Sequence, residues 1–479
     1  MLKQDNLCLQ KEQEELATSG IFHLFVKYAV PGVIGLLFLG IQAVIDGIVL
    51  SHFAGALALA SVSLILPCYN FIIAAAIVTG IGCQTLVGLR LGQSDMRSAN
   101  QALTTAFVFL LVFSAGMSAL IFGLAPLIAR CLGADTLLLE GSVSYIRTLV
   151  PFFPMLCLMF LGDYMLKIAG RPVRATIIMS VTVVLNIVLD LLFVGLWGWG
   201  ISGAGLATGI AFTIGASCNV PSMFSRRQTV CVQRGRFRWR TLGQMLYNGS
   251  SEGISELSAG ISVFLFNIVL MRTIGADGVA AFTVLAYILF IGVTVFLGIS
   301  DGVIPIISYN HGSKRQKRVK AVTGLAVRTN LMIGVLLFVT LWLAGEQIVA
   351  LFFKSDEAAV MNIAVKGASL YAFAFLFNGL NILASGYFTA IGDARKSVVI
   401  SLCRGLVFIS LGIYCLPRWF GGEGIWYVIP AAECCTLLVV LFLFFRENKR
   451  NLSGKVQLDK GVLMKDLDQD KARRVNKSA

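Results

Sequence analysis

The sequence predicts an all-α integral membrane protein with twelve transmembrane helices in two six-helix lobes related by a parallel internal repeat. Three observations carry this prediction. The 479 residues are 57% hydrophobic and only 13% charged, whereas a soluble domain carries about 25% charged residues. Twelve apolar runs have the length of about 20 residues that a hydrocarbon layer of roughly 30 Å demands of a helix. Glycine and basic punctuation recurs in the same order some 220 positions later, as Gly82 against Gly302 and Gly92 against Gly312 show.

Taken in order, residues 1–27 form a polar N-terminal segment of mixed charge, with no cleavable signal pattern before the first apolar run. The first lobe, 28–225, holds spans near 28–50, 57–88, 102–129, 145–168, 175–197 and 203–224. A basic linker, 226–245, leads to the second lobe, 246–446, with spans near 251–273, 279–307, 321–345, 364–391, 397–416 and 424–445, and residues 447–479 form a polar tail. Turn-forming residues separate the spans, as in Gly170-Arg171-Pro172 and Gly275-Ala276-Asp277. Pro31, Pro67, Pro151, Pro154 and Pro305 fall inside spans, where each removes a backbone hydrogen bond and favours a bend.

Basic residues set the orientation, because loops rich in Lys and Arg stay on the cytoplasmic side. Arg90, Arg97, Lys167, Arg171, Arg174, the run from Arg226 to Arg240, the KRQKRVK segment, Arg395 and Lys396 all fall on one side, with both tails. Few, such as Arg130, Lys354 and Arg418, fall on the other. Both termini are therefore expected in the cytoplasm. The formal charge of +14 is accounted for by this topology and by anionic headgroups, and no nucleic-acid module accompanies it.

Each repeat holds an even number of spans, so both enter from the same side and are related by an axis along the membrane normal. That is the parallel-repeat layout of secondary transporters, with a cavity between the halves. Enzymatic signatures are missing: there is no phosphate-binding G-x-x-x-x-G-K-[ST] loop, no H-E-x-x-H, and only three histidines, without ligand spacing. The eleven cysteines show no C-x-x-C pair and read as small packing residues. No cofactor is expected.

The stretch VLNIVLD, 184–190, places Asn186 and Asp190 inside an apolar run. An ionisable residue at mid-membrane costs roughly 2.5–3.5 kcal/mol on insertion scales, so it persists where it has a partner, a cavity or a task. Four residues apart, the two share a helix face. Asp46 lies in another span, and two carboxylates brought together in low dielectric need a proton or a cation between them. Asn186 alone would read as interhelical glue. Asp163, Glu252, Glu256, Asp301 and Glu433 are further acids in or beside spans. Of these, Glu256, Glu252 and Asp163 are candidates for the substrate cavity, with a membrane-interface position as the alternative for Glu252.

The PGVIGLLFLGIQAVIDGIVLSHFAG opening, the glycine pattern from Gly88 to Asn100 and EGISELSAGISVFLFN at the start of the second half resemble multidrug and toxic compound extrusion (MATE) transporters. The pattern runs from about residue 20 to 446. The resemblance implies a coupling-ion site in the N-terminal lobe formed by Asp46, fifteen residues after the bending Pro31, by Asn186 and Asp190, and by Thr208. The ion is H⁺ or Na⁺, for which two carboxylates, an amide carbonyl and a hydroxyl supply oxygen ligands. The acidic residue that another branch of the family carries in its C-terminal lobe has no counterpart here, since the position near Ser262 is not acidic.

Together these readings predict a secondary transporter that exports small organic compounds, cationic and amphipathic, by H⁺ or Na⁺ antiport with alternating access. It is expected to act as a monomer in the cell inner (plasma) membrane, with the lipid bilayer and small-molecule organic cations or drugs as partners. The rival reading is a lipid-linked oligosaccharide flippase, whose cavity would need Arg and Lys for pyrophosphate and finds mainly Arg328 and Arg404. A membrane-embedded enzyme or scaffold is a further alternative.

Overall fold

The computed structural model describes residues 15–225, 228–233, 237–353 and 358–447. Residues 448–479 of the polar tail, Lys354 and parts of the N-terminal segment and basic linker lie outside the described residues. Helices α1 (Ile21–Ala54), α2 (Ala56–Gly92), α3 (Met96–Gly123), α4 (Leu139–Ile168), α5 (Pro172–Leu196) and α6 (Gly200–Phe224) form the first lobe. Helices α7 (Trp239–Thr273), α8 (Ala276–Gly312) and α9 (Gln316–Ala350) begin the second. Its fourth span, α10, is broken into Ala358–Tyr371 and Ala374–Ala390, bent by 53°.

The final apolar stretch, Ala394–Glu447, is 54 residues long. At about 1.5 Å per residue that exceeds any bilayer, and the 3₁₀ turn Gly421–Tyr427 divides it into α11 (394–420) and α12 (428–447). Among the described residues twelve helical spans result. The helices outrun the apolar stretches: α2 and α8 have 37 residues each. The linker is shorter than expected, because α7 begins at Trp239 rather than after residue 245.

Backbone conformation repeats between the lobes. One left-handed glycine joins α1 to α2 (Gly55, φ 87°) and another joins α7 to α8 (Gly275, φ 92°), a conformation glycine reaches without a Cβ clash. Ser94 and Lys314, with φ of 60° and 59°, occupy matching turns after α2 and α8. The fifth span of each lobe carries a π-helical turn, Leu191–Leu196 in α5 and Cys403–Val407 in α11. Such turns recur at functional sites.

The lobes meet along α1 against α8 and α2 against α7. At the end that carries the turns after α2, α4, α8 and α10, they share one apolar core, in which Val87, Leu91 and Ile168 join Ile304, Ile307 and Val319. At the other end each lobe keeps its own core, around Val49 and Val194 in one and Phe266 and Phe282 in the other. Glycine permits the close approach at the shared end: a Cβ on Gly82 would sit 2.1 Å from the Met245 carbonyl oxygen, and one on Gly92 would sit 2.2 Å from that of Tyr309. The lobes are thus joined at one end and separate toward the other.

Candidate functional site

In the first lobe three helices converge on one buried polar cluster. Gln42 and Asp46, one turn apart on α1, face Asn186 and Asp190 at the end of the α-helical part of α5, and Thr208 comes from α6. The Asn186 amide, with its amino group toward α1, donates to both Asp46 carboxylate oxygens at 3.0 and 3.2 Å. Its carbonyl accepts from the Thr208 hydroxyl and backbone N–H, each at 3.3 Å. The Gln42 amide contacts Asn186 and lies 3.5 Å from Asp46 Oδ2.

Asp190 is 2% exposed, its carboxyl is within hydrogen-bonding reach of Asp46, and its Oδ1 has no hydrogen-bond partner. A buried carboxylate oxygen without a donor carries the full cost of its desolvation. A proton or a cation at that oxygen removes the cost, and the donor set of carboxylates, amide and hydroxyl suits either. The π turn starts at Leu191, immediately after this acid.

Between the lobes lies a cavity of about 110 Å³, lined by Tyr164 of α4, Glu252 and Glu256 of α7, Asp301 of α8 and Arg404 of α11. Glu252 reaches it because α7 starts thirteen residues earlier, which at about 1.5 Å per residue sets the side chain well inside the helix. Arg404 is already engaged: its Nε donates to Glu433 Oε1 at 2.9 Å, and Asn378 and Asn381 donate to the Glu433 carboxylate at 3.0 and 2.7 Å.

Asp163 is held differently from the other cavity candidates. Its Oδ2 pairs with Lys167 Nζ at 2.7 Å, and the same ammonium reaches Asp301 Oδ2 of the other lobe at 2.6 Å. Lys167 counts among cytoplasmic-side loop residues in the sequence reading, yet it is 7% exposed. The signal was an i,i+4 pair inside an apolar run. A narrower cavity beside this triad is lined by Pro31, Gly35, Asp163, Thr176 and Asp301. Helix α1 continues through Pro31, whose carbonyl accepts from the Thr176 hydroxyl at 2.8 Å.

Sequence reasoning missed Gln42, Lys167 as a buried group, and the Arg404–Glu433 cluster. Among the described residues no group of three or more His, Cys, Asp and Glu side chains is arranged to hold a metal ion.

The MatE family profile matches residues 31–192 and 254–413, one segment in each lobe. The multidrug export protein MepA of Staphylococcus saprophyticus is 24% identical over 454 residues, covering 93% of this chain and 97% of that protein. MepA of Staphylococcus aureus is 23% identical over 440 residues, covering 90% and 95%. Among solved structures, a MATE protein in complex with MaL6 superposes with a TM-score of 0.86 at 23% identity, over 92% of this chain and 98% of that one. An outward-facing multidrug resistance MATE transporter gives 0.85 at 23% identity, with the same coverage.

Proposed function

The chain belongs to the MatE family, and from that premise we propose that it is a multidrug efflux transporter exporting organic cations in exchange for H⁺ or Na⁺. The observation that carries the coupling half of this reading is the convergence of Asp46, Asn186, Asp190 and Thr208 around a carboxylate oxygen that lacks a partner. A group in that state gains from an entering cation or proton, and a gradient of either then does work on the helices that supply the ligands.

Substrate charge follows from the cavity between the lobes. Glu252, Glu256 and Asp301 line it, while its one lining arginine is offset by Glu433. Acidic walls in a low-dielectric cleft favour a cation, and they oppose the pyrophosphate group of a lipid-linked oligosaccharide. Adaptable apolar surface alongside, such as Leu36, Ile77 and Leu297, suits broad recognition.

Alternating access requires a second state in which the shared core opens and the far end closes. With the basic loops in the cytoplasm of a plasma-membrane protein, the arrangement described above faces outward. Purified protein in proteoliposomes, loaded with a cationic dye and given separate H⁺ and Na⁺ gradients, tests the reading. Dye movement driven by one gradient supports it, and movement indifferent to both overturns it.

A further inference from the structure

Lys167 joins the lobes at the end where they are closed. Its ammonium sits between Asp163 of its own helix and Asp301 of the opposite lobe, at 2.7 and 2.6 Å, and 5.4 Å from the Tyr164 ring centre. Asp301 and Tyr164 line both the narrow cavity that holds this triad and the larger one that holds Glu252 and Glu256. The second carboxylate oxygen of Asp301 is buried and has no hydrogen-bond partner. With Arg404 set against Glu433, four acids (Asp163, Asp301, Glu252, Glu256) face a single cation.

We propose that Lys167 is a tethered competitor for the transported cation, occupying Asp301 when the lobes are closed at this end and surrendering it when they part. The proposal rests on the export reading above and adds to it the residue that decides when cargo is released. Separation of the lobes carries Asp301 away on α8, while Lys167 and Asp163 stay together on α4. Asp301, Glu252 and Glu256 then share one opened vestibule without a counter-ion, and an organic monocation entering from that side fills the place. Reclosure returns the ammonium to Asp301. One anionic site cannot hold two monocations at contact distance, so the cargo is displaced toward the far end, where the lobes have separate cores and are free to part.

This geometry couples three events without a long relay: lobe closure, formation of the Lys167–Asp301 pair and loss of cargo affinity. The coupling is reciprocal: the factor by which the Lys167–Asp301 pair weakens cargo binding is the factor by which bound cargo weakens the pair.

Binding of ethidium, an organic monocation, to the purified full-length protein tests it by fluorescence polarisation, with export from proteoliposomes as the second readout. Removal of the competitor in Lys167→Met is expected to tighten ethidium binding about tenfold, within the usual range of such couplings, while slowing export. A neutral dye of similar size should show no such gain. Asp301→Asn, which keeps side-chain shape and leaves the Asp163–Lys167 pair in place, is expected to weaken ethidium binding by a similar factor. It supplies the decisive comparison if Lys167→Met does not fold. Ethidium binding that is unchanged or weaker in folded Lys167→Met, or unchanged in Asp301→Asn, overturns the proposal while leaving the export reading intact if the wild type still transports. A wild type that neither binds nor moves ethidium removes both.

Discussion

The Asn186 amide bridges Asp46 and Thr208, joining three helices of the first lobe through one side chain. Because this bridge is neutral, its removal should weaken the coupling site without abolishing it. Asn186→Ala and Thr208→Ala are expected to reduce gradient-driven dye export several-fold at matched expression. Asp46→Asn and Asp190→Asn should each abolish it, and the double variant should be no worse than either single one, because breaking half of a shared site already disables it. Near-normal export by both single carboxylate variants would return the cluster to the status of helix packing.

Backbone contact at the closed end leaves no room for a methyl group. A Cβ at position 92 would lie 2.2 Å from the Tyr309 carbonyl oxygen and 2.7 Å from the Ser313 nitrogen, neither of which belongs to a flexible side chain. Gly92→Ala should therefore disfavour closure there, with a cost of about 1–3 kcal/mol typical of overpacking. Spin labels at the exposed Arg97 and Lys317 report it: the variant should shift weight to longer distances. An unchanged distance distribution would show that the contact yields easily.

Glu256 offers a test of substrate charge that is separate from coupling. Glu256→Gln keeps the shape of the cavity wall and removes its negative charge, so export of cationic dyes should fall several-fold more than export of neutral ones. Equal loss for both classes would point to folding or gating instead.

A soluble-side feature ties stability to pH. Asp95 caps α3, its Oδ1 accepting from the Ser98 backbone N–H at 3.0 Å. The hydrogen bonds from Ser98 hold its carboxyl below its usual value of 3.8. A lowered folded-state value means that the contribution is complete above about pH 4 and is lost as pH falls through the lowered value. Asp95→Ala is expected to cost about 0.5–1 kcal/mol. Thermal unfolding in detergent micelles should show that difference at pH 7 and a smaller one near pH 3; a difference that does not shrink would mean the cap acts without its charge.

The spans were legible because hydropathy is a property of the chain itself, and so was the pairing of the lobes, since the glycine at 55 and that at 275 are demanded by the backbone. The start of α7 was not. Its first turns, rich in Gln, Asn and Ser, look like a loop, but Asn248 donates to the Thr389 carbonyl at 3.1 Å and the Ser251 and Thr389 hydroxyls meet at 3.0 Å. Polar groups satisfied by a distant segment are invisible to a local reading. The break in α10 falls at Ala372 and Phe373, where no proline or glycine announces it. In the site, Asp46, Asn186, Asp190 and Thr208 were singled out by their cost in a membrane and by resemblance, whereas Lys167 was hidden by the ordinary expectation that a lysine near a helix end reaches water.

Glu433 has a consequence for how force is distributed. Asn378 and Asn381 of α10 and Arg404 of α11 occupy its carboxylate, so both of its oxygens are already partnered and this acid gains little from a visiting ion. The cluster ties α10, α11 and α12 together. The other lobe, with an open valence at Asp190, is the compliant one, and a machine built from two copies of one part thereby acquires an anvil and a hammer. On the proposed coupling, strain generated by ion entry is delivered against a fixed wall, not shared between two yielding halves, and the stroke falls on the seam where α1 meets α8.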